Sequence, residues 1–68
     1  MTADVHRLAS ALERAIDDGD VVRVLMLIDA SRLKRAQRLD VCRLLSHRTA
    51  DVVLAFDRYD EARVLTAA

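Results

Sequence analysis

The chain has 68 residues, of which 53% are apolar, and its 11 basic residues balance its 11 acidic ones. This length holds one domain, residues 1–68, which buries only about 60% of the surface that the unfolded chain exposes. The single Cys42 excludes an internal disulfide, so tight packing or association must stabilise the fold. No apolar stretch approaches the roughly 18 residues of a membrane span, and no secretion signal is recognisable. With a free thiol, these features predict a cytoplasmic protein that does not act at a membrane.

The first predicted element is a helix over residues 3–18, which begins after the tetrapeptide TADV. Thr2 can cap a helix N-terminus with its hydroxyl, and Asp4 complements the helix dipole in the first turn. The same tetrapeptide recurs at residues 49–52. Both copies precede the i, i+3, i+4, i+7 apolar spacing of an amphipathic helix. We therefore interpret TADV as two independent helix starts, against the alternative of a duplicated binding motif.

The second predicted element is a helix over residues 20–30, which starts at Asp20 directly after Gly19. Its segment VVRVLMLI is apolar except for Arg23 and rich in β-branched residues, so a buried strand is the alternative. In that α/β alternative, 21–28 and 52–56 are strands and 31–47 is the crossover of a βαβ unit. The all-α fold is favoured because a sheet of two strands is rarely stable alone.

Residues 15–28, AIDDGDVVRVLMLI, resemble the helix–turn–helix portion of an ankyrin repeat. The Thr-Pro-Leu-His start and the β-turn finger of that repeat are missing, and no resemblance covers the whole chain. The resemblance implies a helical hairpin and a protein-binding role. The matching positions are Ala15, Gly19, Asp20, Val24, Leu27 and Ile28.

The third predicted element is a helix over residues 31–47 with Ser31 as its cap. Residues 32–48 hold six basic side chains and only Asp40 as an acid, a net charge of +5. Three interpretations compete: the arginines pair with acidic residues on the flanking helices, they bind an acidic protein partner, or they bind nucleic acid. The basic residues are Arg32, Lys34, Arg35, Arg38, Arg43 and Arg48.

The fourth predicted element is a helix over residues 49–66, which carries more apolar residues than one buried face can hold. Its predicted buried stripe is Val52, Ala55, Phe56, Tyr59 and Ala62. A contiguous patch of the apolar residues off this stripe would mark an interface. These candidate contact residues are Val53, Leu54, Val64 and Leu65.

Catalytic and cofactor sites are not predicted. One glycine cannot build a phosphate-binding loop, and His6 and His47 lie 41 positions apart without zinc-ligand spacing. Cys42 is interpreted as a core residue and not as a nucleophile. Asp17, Asp18 and Asp20 do not follow the calcium-loop pattern.

The sequence therefore predicts a compact bundle of four short helices, arranged as two antiparallel hairpins, without enzymatic activity, metal or cofactor. We expect a regulator, adaptor or phage-type inhibitor that binds a larger protein or a second copy of itself. The contacts would be the apolar anchors and the arginine-rich face. The alternative is a nucleic-acid-binding regulator that uses the basic segment 32–48. That alternative is disfavoured because both ends of the chain are acidic and its two aromatic residues lie on the predicted buried stripe.

Overall fold

The computed structural model describes residues 2–67, and in that range it contains four α-helices and no strand. The predicted all-α fold is confirmed. Residues 21–28 and 52–56 are helical, so the α/β alternative is wrong. The helices are α1 (Ala3–Asp17), α2 (Val21–Ser31), α3 (Arg35–Leu44) and α4 (Thr49–Ala67), with a 3₁₀ turn at Ser46–Arg48 between α3 and α4.

The four helices form a ring in which each one packs against two neighbours. Helix α1 contacts α2 and α3, and α4 contacts the same two helices from the other side. The two predicted hairpins, α1–α2 and α3–α4, are therefore present. The radius of gyration is 11.2 Å, close to the roughly 11 Å of a compact domain of this length. The largest fully buried side chains at the centre are Leu12, Ile28, Val5, Val41 and Val52.

The α1–α2 hairpin is built by local signals that the sequence displays. The Thr2 hydroxyl accepts a hydrogen bond from the Val5 amide at 3.3 Å, as predicted for a cap. At the other end the Gly19 amide donates to the Ile16 carbonyl and the Asp20 amide to the Ala15 carbonyl, both at 3.1 Å. This pair of bonds is a Schellman ending, and it places Gly19 in the left-handed region with φ of 67°.

Asp20 then caps α2 by accepting a hydrogen bond from the Arg23 amide at 3.1 Å. The helical hairpin at 15–28 is thus confirmed. The protein-binding role that the resemblance to an ankyrin repeat implies stays a prediction.

The predicted cap at Ser31 is wrong. Ser31 is the last residue of α2, and its hydroxyl donates to the Ile28 carbonyl at 2.7 Å instead of accepting from a new helix. Arg32 leaves the helix in the left-handed conformation with φ of 48°. Helix α3 begins only at Arg35, because the chain first extends through Lys34, whose amide donates to the Gln37 side-chain oxygen at 2.9 Å.

The second TADV copy does not act as the first one does. Thr49 has right-handed helical angles, φ −53° and ψ −43°, because α4 continues directly from the 3₁₀ turn. Its hydroxyl donates to the Ser46 carbonyl at 2.9 Å. The predicted capping role of Thr49 is therefore wrong, although α4 does begin at Thr49.

Helix α4 is longer than the core that it covers. Val52, Ala55, Phe56 and Tyr59 are buried as the stripe predicts, and Tyr59 is the last buried residue. All residues from 60 to 66 are exposed, including Ala62, which the stripe placed inside. The last two turns of α4 therefore extend past the core. This projecting end of α4 forms part of the candidate binding surface.

Candidate binding surface

Arg38 is half-buried and is held against α4 by two contacts. Its guanidinium donates two parallel hydrogen bonds to the Asp60 carboxylate, each at 2.9 Å. The guanidinium carbon also lies 4.9 Å from the centre of the Phe56 ring. The hydrogen bonds from Arg38 lower the pKa of Asp60, and the Asp60 carboxylate raises the pKa of Arg38. Arg38 therefore joins α3 to α4 as well as contributing charge.

Two further basic residues are also paired. Arg48, in the 3₁₀ turn, contacts the carboxylates of Glu13 at 3.6 Å, Asp17 and Asp51. Arg43 lies 3.9 Å from Asp40 on its own helix. For Arg38, Arg43 and Arg48 the structure shows acidic partners, and two of these arginines connect different helices.

The remaining three basic residues of the segment make no ion pair with any described residue. Arg32, Lys34 and Arg35 are exposed and cluster at the connection between α2 and α3. Arg32 extends from the left-handed end of α2. These three residues are the part of the predicted basic face that is free to contact another molecule.

Arg63 adds to this free positive charge, and the sequence reasoning missed it. It lies on the projecting end of α4, outside the basic segment, and makes no ion pair within residues 2–67. Its guanidinium lies 5.9 Å from the centre of the Tyr59 ring, and that of Arg38 lies at the same distance. The i, i+4 spacing of Tyr59 and Arg63 on one helix could have revealed their shared face.

A cleft of about 340 Å³ lies between α2, α3 and α4, and Arg32, Arg38 and Arg63 line it. The Tyr59 hydroxyl donates to the Asp29 carboxylate at 2.8 Å across the cleft, joining α4 to α2. This hydrogen bond raises the pKa of Tyr59 above its ordinary value of 10.0. The charged residues that line the cleft are Arg32, Arg38, Arg63 and Asp29.

The predicted apolar contact residues are exposed, but they lie on more than one side of α4. Val53 faces α3, where it lines a groove with Leu39 and Cys42. Leu54 faces α2, where it lines a groove with Val21. Val53 and Leu54 are 44% and 48% exposed, so the grooves cover them only in part.

Val64 and Leu65 lie on the projecting end of α4 and are the most exposed large apolar residues, at 69% and 79%. Helix α2 adds an apolar surface that was not predicted as a site. Its Val22 and Met26 are 67% and 66% exposed.

Residues 2–67 contain no cluster of three or more His, Cys, Asp or Glu side chains that could hold a metal ion. Cys42 is half-buried and packs against the core. His47 contacts Glu13 at 2.5 Å at the surface. Within residues 2–67 no helix combines the length and apolar character that crossing a membrane requires.

Comparison with known proteins returned no matching protein family, no matching curated protein and no matching solved structure.

Proposed function

We propose that the chain is a small non-catalytic module that binds a larger protein through exposed apolar anchors and a basic surface. The observation that carries this proposal is the position of Met26, which is 66% exposed, beside the unpaired guanidinium of Arg63 on the open surface between α2 and α4. Val64 and Leu65 add exposed apolar surface on the projecting end of α4, although neither of them lines that open surface. An apolar surface beside complementary charge is the usual composition of a protein interface.

Among residues 2–67, eight large apolar side chains are exposed on α2, α3 and α4, and exposed apolar surface of this kind supplies the anchors of a protein interface. A regulator, an adaptor or an inhibitor that blocks a surface sterically would all use this arrangement. Self-association is the other use of the same apolar surface.

Nucleic acid is the less favoured ligand for the basic residues. A nucleic acid backbone presents closely spaced phosphates, and the Asp29 carboxylate, which lines the cleft with Arg32 and Arg63, reduces the positive charge that could meet them. Among the described residues, the one cluster of basic side chains without acidic partners consists of Arg32, Lys34 and Arg35. We place the protein in the cytoplasm, where a single unpaired thiol stays reduced.

Capture from a lysate of the native cell, with quantitative mass spectrometry, tests the proposal. The baits are the wild-type chain, V64D/L65D on the projecting end of α4, and S10D/A50D as a control. Ser10 and Ala50 are exposed, and both double variants add the same charge. We expect one protein to be enriched by the wild type and the control, and about tenfold less by V64D/L65D.

The captured protein is then purified and titrated with the same three baits, and the chain alone is sized. Equal capture by all three baits would contradict the proposal. Capture of nucleic acid that is lost steeply as salt rises would favour the alternative. If the wild-type chain is a dimer and the V64D/L65D variant is a monomer, this surface is assigned to self-association.

A further inference from the structure

The basic cleft and an apolar groove share one wall. Beyond the cleft, α2 and the projecting end of α4 border a shallow, open groove of about 260 Å³. Asp29, Tyr59 and Arg63 line both the cleft and the groove. The apolar residues on the groove side are Leu25, Met26 and Ala62. A ligand that lies across the wall would therefore meet positive charge on one side and apolar surface on the other.

The cleft keeps one net positive charge after its internal contacts are counted. Asp60 pairs with the Arg38 guanidinium from outside the cleft lining. The hydrogen bond from Tyr59 does not cancel the charge of the Asp29 carboxylate, which offsets one of the two remaining arginines. Arg32 and Arg63 make no ion pair with a described residue. Guanidinium groups present fixed, parallel donors that match the two oxygens of a carboxylate.

Arg32 occupies a backbone conformation that favours another residue type. Its φ of 48° places it in the left-handed region at the end of α2, where glycine or asparagine is usual. Gly19 fills the equivalent position at the end of α1 with φ of 67°. An arginine held in such a conformation beside a cleft points to a use for its side chain.

We propose that the cleft binds the carboxylate of an Asp or Glu on the protein partner, while an apolar side chain of the same partner segment enters the adjoining groove. This inference rests on the proposed function and names the chemistry that the partner must present. A single carboxylate fits better than a polyanion, because the one net positive charge of the cleft balances one negative charge and not several.

The test is an NMR titration of the full chain with small probes that carry parts of this chemistry. The probe is 3-phenylpropionate, which has one carboxylate and one apolar ring. The matched uncharged probe is 3-phenylpropanol, and inorganic phosphate is the third. We expect saturable shifts of the Nε–H signals of Arg32 and Arg63 with 3-phenylpropionate, with the millimolar Kd typical of such a small ligand.

Two variants test the site without disturbing the fold. R63Q removes an unpaired guanidinium, and R32G removes the other while relieving the left-handed backbone, so R32G should melt no lower than the wild type. Each should weaken 3-phenylpropionate binding about fivefold. R14Q, at an exposed position on α1, should leave binding unchanged.

Equal binding of the alcohol would overturn the carboxylate site, as would the absence of saturable shifts. Tighter binding of phosphate would overturn it in favour of a phosphate-bearing ligand. The captured partner separates this inference from the proposed function. If V64D/L65D abolishes partner binding but R32G and R63Q do not weaken it, the module stands and the carboxylate site fails. If the probe binds the cleft but no bait captures a protein, the site stands and the proposed function fails.

Discussion

Replacing Arg38 by glutamine should destabilise the fold, and replacing Arg35 should not. The two residues lie three positions apart on α3 and carry the same charge in the same basic segment. Only Arg38 is paired, through its parallel hydrogen bonds to Asp60 and its position over Phe56. Comparing R38Q with R35Q therefore separates the effect of losing a paired arginine from the effect of losing an unpaired arginine on the same helix.

The expected loss follows from two contributions. The Arg38 and Asp60 side chains are 28% and 53% exposed, so solvent screens the ion pair, and its contribution is about 0.5–1 kcal/mol. The guanidinium over the Phe56 ring adds about 0.5–1 kcal/mol. The R38Q variant should thus lose about 1–2 kcal/mol of unfolding free energy. A domain of this size has only about 3–10 kcal/mol in total.

Thermal unfolding followed by circular dichroism measures the effect. At about 4–8 °C per kcal/mol for a domain of this length, R38Q should lower Tm by roughly 5–15 °C. R35Q should stay within about 0.5 kcal/mol of the wild type. A double-mutant cycle with D60N isolates the ion pair from the ring contact.

The loss of stability caused by R38Q should change with pH in one direction. Arg38 holds the pKa of Asp60 below its ordinary value of 3.8, so the ion pair stabilises the fold above that pH. The contribution is lost as the pH falls through the lowered pKa of the folded state. The difference in Tm between the wild type and R38Q should narrow in acid, while the ring contact persists. Equal Tm values for R38Q and R35Q at neutral pH would refute this account of Arg38.

Four further predictions test other parts of the structure. Tyr59 is the only tyrosine, so its absorbance titration should give a pKa above 10.0 that D29N moves back down; an unchanged pKa would show that the hydrogen bond does not form in solution. The fold should lose stability as the pH rises past 10, because the unfolded state ionises first. G19A should cost about 1 kcal/mol in denaturant unfolding, purely through the backbone, since no atom lies within 4 Å of an added methyl group. T2A should cost about 1 kcal/mol and T49A clearly less; equal losses would contradict the different roles of the two hydroxyls.

The helices could be predicted from the sequence because their signals are local. Apolar spacing marks the buried stripe of α1, and Gly19 followed by Asp20 marks the turn into α2. The same logic failed at Ser31 and Thr49. A serine or threonine hydroxyl can accept from a following amide or donate to a preceding carbonyl. The sequence around these two residues does not reveal which bond forms.

The roles of the arginines could not be predicted, because their partners are distant along the chain. Asp60 lies 22 positions from Arg38, and Glu13 lies far from Arg48 across the bundle. Only the packing of α3 on α4 and of the 3₁₀ turn beside α1 decides which guanidinium is paired. The spacing of Arg63 from Tyr59 could have placed both on one face of α4, but only the packing of α2 and α3 puts that face beside the cleft.

The division between paired and free arginines explains how an electrically neutral chain presents a basic surface. Arg38 and Arg48 connect helices to one another, and their acidic partners are thereby neutralised. The free charges of Arg32, Lys34, Arg35 and Arg63 remain at the connection between α2 and α3 and on the projecting end of α4. Under the proposed function, stability depends on the paired arginines and partner binding on the unpaired ones. Substitutions at the free positions should alter binding while leaving Tm nearly constant, and those at the paired positions should lower Tm first.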